Sequence, residues 1–236
     1  MIRRLEVAVF AAAFALAGLI ALALVWSGDA PYEWLARANG VSGATFLEPP
    51  DAPSAPAPRA VGLGEHPVSL ETLVAYHREW SAYVTGARGA VAPSFGRSAP
   101  FTAAEYAHMA DVRAVFGGAK VVLVAAVLVI AFRVQRAWAR HDALRLVRDG
   151  AVAAALGVLV VGVVAAFAFE PLFLLFHEVF FPQGNFLFDP ATSNLIRLYP
   201  DWYWQGITAL VAGSFVAVSG AVAATCALAL RKLRAR

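Results

Sequence analysis

Two histidines, each near a carboxylate, are the residues of this sequence best suited to chemistry. His108 lies on a predicted helix with Glu105 and Asp111 one turn before and after it, so all three share one face. His177, in a later segment, is followed directly by Glu178. Histidine changes its charge near neutral pH, and a neighbouring carboxylate can fix which ring nitrogen carries the proton. We therefore predict proton transfer by His108 and His177, with the three carboxylates in support.

Each of these residues also has a structural interpretation, which the sequence alone leaves open. Both histidines can be interfacial side chains that local hydrogen bonds satisfy. The structural interpretation of Glu105 is that it is the partner of Thr102 in a capping box that starts the helix, and nothing more. Arg197, the one basic residue of the second outer segment, can bind a phosphate or an oxyanion. It can equally pair with a carboxylate of the protein, the candidates being Glu170, Glu178 and Asp189.

Several catalytic templates are absent from the sequence. The nearest approach to a nucleophile elbow, at residues 40–44, lacks the last glycine, and no second histidine follows His177 at the spacing of a zinc protease. The single cysteine, Cys226, lies in an apolar segment and is predicted to be a packing residue. Scattered histidines could bind zinc, although their spacing does not require it. We predict no metal and no cofactor, and we expect His66 and His77 to be surface residues.

The composition is that of a membrane protein, with 60% hydrophobic and 15% charged residues in a chain of 236. Uncharged runs over 7–25, 150–169 and 202–230 reach the roughly 18 to 20 residues that span a bilayer. The sequence signal for a further span is weaker, because only a short uncharged run lies between Lys120 and Arg133. This span must therefore extend back to residue 114. The first run is too long for a signal peptide and has no clear cleavage site, so we expect a retained helix.

The basic residues give a predicted orientation, since arginine and lysine in short flanking segments stay cytoplasmic. They gather before the first span, between the second and third spans, and after the fourth. These residues are Arg3, Arg4, Arg133, Arg136, Arg140, Arg145, Arg148, Arg231, Lys232, Arg234 and Arg236. Both termini are therefore predicted to be cytoplasmic, with the histidines on the extracytoplasmic face. The net charge of +3 is segregated in this way, and it is no evidence for nucleic acid.

The predicted fold is an all-α membrane protein with four transmembrane helices, a small, mostly helical extracytoplasmic head and an interfacial second outer loop. Within the head, residues 40–67 are predicted to form an irregular linker or a wrapped loop, and a helix follows Ser69 with an apolar stripe formed by Leu70, Leu73, Val74, His77 and Trp80. Prolines interrupt the second outer loop, so short interfacial helices are expected there. The predicted segments are helix 1–26, head 27–113, helix 114–132, basic cytoplasmic loop 133–149, helix 150–170, outer loop 171–201, helix 202–230 and cytoplasmic tail 231–236.

Two outer motifs resemble a known family. Glu105-x-x-His108-Met109-x-Asp111-Val112, and Phe176-His177-Glu178 with the later run Leu195 to Pro200, are similar to motifs of the lipoprotein intramolecular transacylase (Lit) family of bacterial membrane proteins. The sequence departs from that pattern at Phe186, where tryptophan is common, and at Asp201, where glutamate is usual. The resemblance implies that the chain moves the sn-2 acyl chain of a diacylglyceryl-cysteine lipoprotein to the α-amino group of the same cysteine.

The resemblance also implies roles for the residues named above. His108 would be the base, oriented by Asp111 or Glu105, and His177 would protonate the leaving oxygen or stabilise the oxyanion, with Arg197 as the alternative oxyanion donor. A cluster of phenylalanines would line the path of the acyl chain, namely Phe173, Phe176, Phe180, Phe181 and Phe186.

The expected partners are diacylated lipoproteins and membrane lipids, with no nucleic acid and no cofactor. Two alternatives remain at this point: a non-enzymatic membrane protein whose outer head binds a partner, and a metal-dependent membrane hydrolase.

Overall fold

The computed structural model describes residues 2–48, 64–95 and 100–235 of a mostly helical protein. In chain order its elements are α1 (Ile2–Trp26), α2 (Asp29–Ala38), β1 (Gly43–Leu47), β2 (Glu65–Ser69), α3 (Leu70–Val84), α4 (Ala103–Trp138), α5 (Ala143–Phe167), α6 (Phe169–Phe180), α7 (Asn194–Leu198) and α8 (Asp201–Arg234). Helices α1, α4, α5 and α8 are long and apolar enough to cross a membrane. The prediction of a helical protein with four spans is therefore confirmed.

Among the described residues, a small antiparallel sheet is the one departure from an all-α fold. Gly43 of β1 lies opposite Ser69 of β2, and the pairing runs on to Leu47 opposite Glu65. The prediction of an irregular linker over residues 40–67 is wrong at both strands, while residues 49–63 lie outside the described part of the chain. Both strands are short, β2 contains Pro67, and neither carries much alternating pattern of its own. What fixes β1 is tertiary packing, because Phe46 is fully buried.

The described chain divides into two compact units. The first contains Met1–Trp26, Gly118–Phe169 and Thr208–Arg236, which hold the apolar parts of the four long helices. Within this unit α1 packs on α5, and a Cβ added to Gly150 would lie only 2.2 Å from the ring of Phe10. A glycine is therefore needed for the helices to approach this closely. The predicted packing role of Cys226 is confirmed, because this free thiol is buried in the same unit.

The basic segment between the second and third spans is mostly helical, not a loop. Helix α4 continues to Trp138 and α5 begins at Ala143, so the predicted loop over 133–149 shrinks to residues 139–142. The long aliphatic stems of arginine allow a helix to continue past its apolar part while the charge reaches water. Ion pairs also connect the start of α5 to α1, since Arg3 of α1 contacts both Asp142 (3.2 Å) and Asp149 (2.6 Å).

The second unit, Ser27–Gly117 with Glu170–Ile207, has its own aromatic core. Helix α3 begins as predicted, with the Ser69 hydroxyl accepting a hydrogen bond from the backbone of Thr72. Its predicted apolar stripe is confirmed, because Leu70, Leu73, Val74, His77 and Trp80 are all buried. Phe101 and Tyr106, which flank the start of α4, both contact the indole of Trp80. The sequence did not indicate that these outer segments form one compact unit.

The second outer segment consists of two short helices, as the prolines predicted. Pro171 lies in the first turn of α6, where a missing amide hydrogen costs nothing. The segment between α6 and α7 turns at Gly184, whose φ of +75° suits glycine. Ser193 then caps α7, because its hydroxyl accepts from the backbone amide of Ile196 at 3.3 Å. These helices bring His177 and the residues after it into the second unit.

Candidate active site

His108 and His177 meet in the second unit. His108 lies in the second turn of α4 and His177 near the end of α6, and their ring centroids are 6.3 Å apart with the planes inclined by only 20°. Both side chains are buried, with 7% and 9% of their surface exposed. Two histidines that are distant in sequence therefore form one pair, close enough for a single reacting group to contact both.

Phenylalanines enclose the pair. The ring of Phe181 lies 4.9 Å from His108 and 5.4 Å from His177, and Phe188 lies 5.6 Å from His108. On the other ring, Phe173 and Phe186 lie 4.2 and 5.2 Å from His177. Phe173, Phe181 and Phe186 are among the predicted lining residues, and Phe188 is the last residue of the same phenylalanine-rich segment. This shell keeps bulk water away from the ring nitrogens and lowers the local dielectric.

Two further predicted lining residues extend outward from this shell. Phe176 contacts His177 at 5.5 Å and Phe180 at 4.6 Å, yet about half of each phenylalanine side chain is exposed. Leu175 and Val179 of the same helix are exposed as well. Helix α6 thus presents an apolar surface that leads directly to the His177 ring.

The hydrogen bonding of His177 fixes its tautomer. Its Nδ1 lies 2.8 Å from the backbone carbonyl oxygen of Phe173. Because that oxygen can only accept, Nδ1 carries the hydrogen, and Nε2 holds the lone pair when the ring is neutral. Burial lowers the pKa of His177, and the bond to Phe173 opposes that effect. At neutral pH the ring is therefore a neutral base with Nε2 available.

His108 is held more loosely. Its Nδ1 is buried, and it has no hydrogen-bond partner among the described residues. This part of α4 precedes the predicted span at residue 114. Here burial and the neighbouring His177 lower the pKa of His108, while a hydrogen bond with the Asn185 side chain and the charge of Asp111 oppose them. A buried nitrogen without a partner costs free energy, and such groups concentrate where a ligand supplies the missing bond.

Asp111 lies beside the pair, but its carboxylate binds two amides of the outer segment. Oδ2 of Asp111 accepts hydrogen bonds from Gln183 at 2.8 Å and from Asn185 at 2.5 Å. Neither amide belongs to the site residues that the sequence predicted. Asparagine and glutamine near proline and glycine are typical of turns, and no sequence signal places them opposite a carboxylate on another element.

Glu105 has a structural role at the start of α4. Its buried carboxylate, 1% exposed, accepts from the backbone and hydroxyl of Thr102, which confirms the capping box. It also accepts from the Ser193 hydroxyl at 2.6 Å and the Leu195 backbone at 2.7 Å, and so fixes the start of α7. The described hydrogen bonds of Glu105 therefore do not include His108.

The other two predicted supporting residues are bound elsewhere or exposed. Arg197 donates to the backbone carbonyls of Thr45 and Ala191, at 2.7 and 3.2 Å. Within the described residues it forms no ion pair with any of the three carboxylates considered for it. Glu178 is exposed, and the described partner of its neighbour His177 is a carbonyl rather than this carboxylate.

The prediction that His77 is a surface residue is wrong. Only 2% of its side chain is exposed, and both ring nitrogens have partners. Nε2 donates to the backbone carbonyls of Ser27 and Gly28, whereas Nδ1 lies 3.2 Å from the hydroxyl of Tyr199. His66, in contrast, is exposed as predicted. Among the residues that the structure describes, no three histidine, cysteine or acidic side chains are grouped as metal ligands.

Comparison with known proteins places the sequence in a family. The family model described as lipoprotein intramolecular transacylase Lit matches residues 68–204, more than half of the chain and all of the residues around the histidine pair. No curated protein matches the sequence.

Solved structures of the membrane integral lipoprotein intramolecular transacylase Lit from Bacillus cereus share the fold. An in meso structure aligns with a TM-score of 0.74 at 14% identity, covering 100% of this chain and 99% of that one. Two variants, with one histidine replaced by arginine or by alanine, align with TM-scores of 0.69, also at 14% identity. They cover 99% and 100% of this chain and 94% and 96% of their own. The chain belongs to the lipoprotein intramolecular transacylase (Lit) family and is a membrane-integral acyltransferase.

Proposed function

We propose that this acyltransferase moves the sn-2 acyl chain of a diacylglyceryl-cysteine lipoprotein to the α-amino group of the same cysteine, and that His108 and His177 transfer the proton. Family membership gives the reaction class. The observation that carries the assignment of the site is the 6.3 Å approach of the two buried rings. Both alternative interpretations, a non-enzymatic binding protein and a metal-dependent hydrolase, are set aside because the family transfers an acyl group.

The reaction balances without any external reagent. The amine nitrogen attacks the ester carbonyl carbon, a carbon–nitrogen bond forms, and the bond from that carbon to the sn-2 oxygen breaks. The amine loses one proton, and the glycerol oxygen gains one. Donor and acceptor belong to one molecule, so the enzyme has to hold a near-attack geometry and pass that single proton. No serine or cysteine nucleophile is needed.

His108 is the proposed base for the amine. An α-amino group titrates at about 7.7 to 8, so a sizeable neutral fraction exists near neutral pH. A neutral imidazole with a free lone pair can then remove the second proton as nitrogen attacks. The buried Nδ1 of His108, which lacks a partner among the described groups, supports this role.

His177 is the proposed donor to the glycerol oxygen. Its Nδ1–H is held by Phe173, so Nε2 is the nitrogen that can receive a proton and pass it on. Two adjacent rings in a buried site cannot both be charged cheaply, and this favours one proton shared between them. Arg197 is the weaker candidate for oxyanion stabilisation, because two of its nitrogens already bind backbone carbonyls.

The exposed phenylalanines of α6 are the proposed path for the acyl chain. Phe176 and Phe180 combine large apolar area with contact to the residues around His177. An acyl chain needs apolar surface and shape more than hydrogen bonds. A site reached along such a surface accepts substrates that are themselves embedded in lipid.

The proposed topology places both termini in the cytoplasm and the histidine pair on the extracytoplasmic face. The basic residues at the ends of α4, α5 and α8 support it, since such residues remain cytoplasmic. Single cysteines introduced into a Cys226→Ala background at Glu178 and at Lys232 would test it. We expect an impermeant maleimide to label only the first in intact cells, and labelling of the second alone would reverse the orientation.

His108→Ala and His177→Ala test the proposed chemistry directly. Each variant would be expressed in a host without its own lipoprotein N-acyltransferase, and lipopeptides would be analysed by mass spectrometry. Loss of a general acid or base costs about 10²–10⁴-fold in rate, so we expect little or no lyso-form product. Glu178→Ala, an exposed neighbour, is the matched control. Full product from both histidine variants would remove the pair from the mechanism.

A further inference from the structure

The two carboxylates that flank His108 on α4 differ in how many of their oxygens are in use. Both oxygens of Glu105 accept hydrogen bonds, and this residue is only 1% exposed. Asp111 uses Oδ2, which accepts from the side-chain amides of Gln183 at 2.8 Å and Asn185 at 2.5 Å. Its other oxygen, Oδ1, has no hydrogen bond and no cationic partner among the described residues, and Asp111 is only partly buried. A carboxylate that is held by one oxygen and open at the other can bind a cation.

Asp111 lies beside the histidine pair. Side chains three residues apart on a helix are neighbours, with Cβ atoms about 5–6 Å apart, so Asp111 shares a face of α4 with His108. Its partner Asn185 directly precedes Phe186, whose ring lies 5.2 Å from that of His177. Two separate elements, α4 and the segment after α6, therefore hold this carboxylate at the edge of the site.

A second feature indicates a ligand at this position. Nδ1 of His108 is buried and has no hydrogen-bond partner among the described residues, and only 7% of this residue is exposed. A buried nitrogen without a partner is stabilised by a ligand that supplies the missing hydrogen bond. An ammonium group carries three N–H donors. It can therefore donate to Asp111 and, when Nδ1 of the neutral ring holds the lone pair, to His108 as well.

We propose that Asp111 binds the α-ammonium group of the substrate through Oδ1, and thereby selects lipoproteins whose terminal cysteine has a free amine. This role rests on the proposed function, which supplies that substrate. An α-amino group has a pKa of about 7.7 to 8, so it is mostly charged near neutral pH. The phenylalanines around the pair offer no opposite charge, and a cation that enters an apolar site without one is strongly disfavoured. Asp111 supplies the opposite charge.

The bound ammonium must lose one proton before its nitrogen can attack the ester. A carboxylate favours the charged form of the amine, so a base is needed beside it, and His108 lies one turn away. Starting from the ammonium, the overall reaction forms the amide, frees the glycerol hydroxyl and releases one proton to water. The nitrogen of the product is a neutral amide. Its attraction to Asp111 is weaker, which favours release of the product.

Binding of two unreactive lipopeptides to the purified full-length enzyme tests this role. Both carry alkyl chains joined to glycerol by ether bonds, which cannot be transferred; one has the free α-amine, and in the other a hydrogen replaces the amine. A hydrogen bond to a charged group is worth about 10- to 100-fold in affinity, so the wild type should prefer the amine by that factor. In Asp111→Asn the amide oxygen can still accept from Gln183 and Asn185, but an NH₂ group replaces Oδ1. The preference should nearly disappear, through weaker binding of the amine alone.

Asp189→Asn is the matched control. It makes the same exchange on an exposed carboxylate of the same outer segment, whose Oδ1 accepts from the backbone of Ala191. This variant should keep the wild-type preference. If Asp111→Asn does not fold, Asp111→Glu keeps the charge but displaces it, and the preference for the amine should be smaller than in the wild type. An undiminished preference in Asp111→Glu would then overturn the role.

Three results with the main pair of proteins would overturn this role of Asp111. They are equal affinity of the wild type for the two lipopeptides, an unchanged preference in Asp111→Asn, and equal weakening of both lipopeptides in that variant. The last result would show that the carboxylate only supports the fold. Failure of the proposed function is seen in a different experiment, as full lyso-form product from both His108→Ala and His177→Ala. Because neither lipopeptide reacts, proton transfer by His108 does not enter the binding comparison.

Discussion

Two buried histidine sites in the same unit of the molecule differ in what their ring nitrogens bind. His77 stacks on Tyr32 at 4.5 Å, and its nitrogens meet two backbone carbonyls and the hydroxyl of Tyr199. His108 and His177 are surrounded by phenylalanines, and each retains a nitrogen without a described protein partner. Burial is common to all three rings. Unused hydrogen-bonding capacity is what distinguishes the pair from His77.

The difference has a physical meaning. A fully bonded histidine contributes to stability, because removing it leaves several buried polar groups without partners. A buried histidine with a free nitrogen is instead a cost to the fold, and it is retained where it does chemistry. The two carboxylates of α4 also differ in their partners, since Glu105 binds Ser193 and the backbone of Leu195, whereas Asp111 binds the side-chain amides of Gln183 and Asn185.

The largest expected effect comes from comparing two single variants, in which glutamine replaces either His108 or His77. His108→Gln should reduce activity about 10²–10⁴-fold while the thermal unfolding midpoint changes little. His77→Gln should reduce the free energy of unfolding by about 1–3 kcal/mol and so lower that midpoint, while the activity per folded molecule remains. Activity assays and thermal unfolding of the purified protein give both readings. A loss of activity without a loss of stability in His77→Gln would contradict the division between the two sites.

Acid should destabilise the protein through His77. Burial lowers the pKa of His77 from 6.5 to about 4 in the folded state. The unfolded chain then binds more protons between these values, so the stabilisation is complete above pH 6.5 and is lost as pH falls towards 4. The difference corresponds to about 3 kcal/mol. Unfolding measured between pH 7 and 4 should show this slope, and His77→Gln should reduce it to the part that the lowered pKa values of His108 and His177 contribute; an unchanged slope in that variant would contradict the assignment.

The capping box should give an intermediate effect on stability. Glu105→Gln replaces an acceptor that binds Thr102, Ser193 and Leu195, and it should cost about 1–3 kcal/mol because a buried donor loses a charged partner. Thr102→Ala removes only the cap hydroxyl and should cost about 1 kcal/mol. Thermal unfolding ranks the two variants. A larger loss in Thr102→Ala would show that the contacts with α7 matter less than the helix cap.

Arg197→Ala should have the smallest effect on chemistry. The guanidinium donates to the Thr45 and Ala191 carbonyls, so its loss should cost about 1–2 kcal/mol of stability and less than tenfold in rate. Quantification of the lyso-form lipopeptide per folded enzyme measures the rate. A hundredfold fall at unchanged stability would restore Arg197 as an oxyanion donor.

Local signals in the sequence predicted local features well. The pair Thr102 and Glu105 indicated the start of α4, because a capping box needs only four consecutive residues. The proline spacing indicated that α6 and α7 are separate helices. The ends of the long helices were less certain, since α5 starts seven residues before the predicted span. Arginine side chains let a helix run beyond its apolar part, so hydropathy marks the span rather than the helix.

Contacts between distant segments could not be predicted from one sequence. Nothing in the motifs around His108 and His177 requires the rings to meet, and the partners of Asp111 come from an unremarkable turn. His77 is different, because a signal was present. It occupies the apolar stripe of α3 together with Leu73 and Trp80, and a polar residue at such a position is predicted to be buried and fully bonded.

The phenylalanine shell around the two imidazoles has a consequence for the fate of the ester. A lipase must admit a solvent molecule as its nucleophile, whereas here the substrate brings its own acceptor, and Phe181, Phe186 and Phe188 occupy the space that solvent would fill. Lipids that carry esters but lack a nearby amine would then enter and leave intact. Selectivity for lipoproteins would follow from this exclusion of water, even though the acyl chains of many molecules fit the same surface.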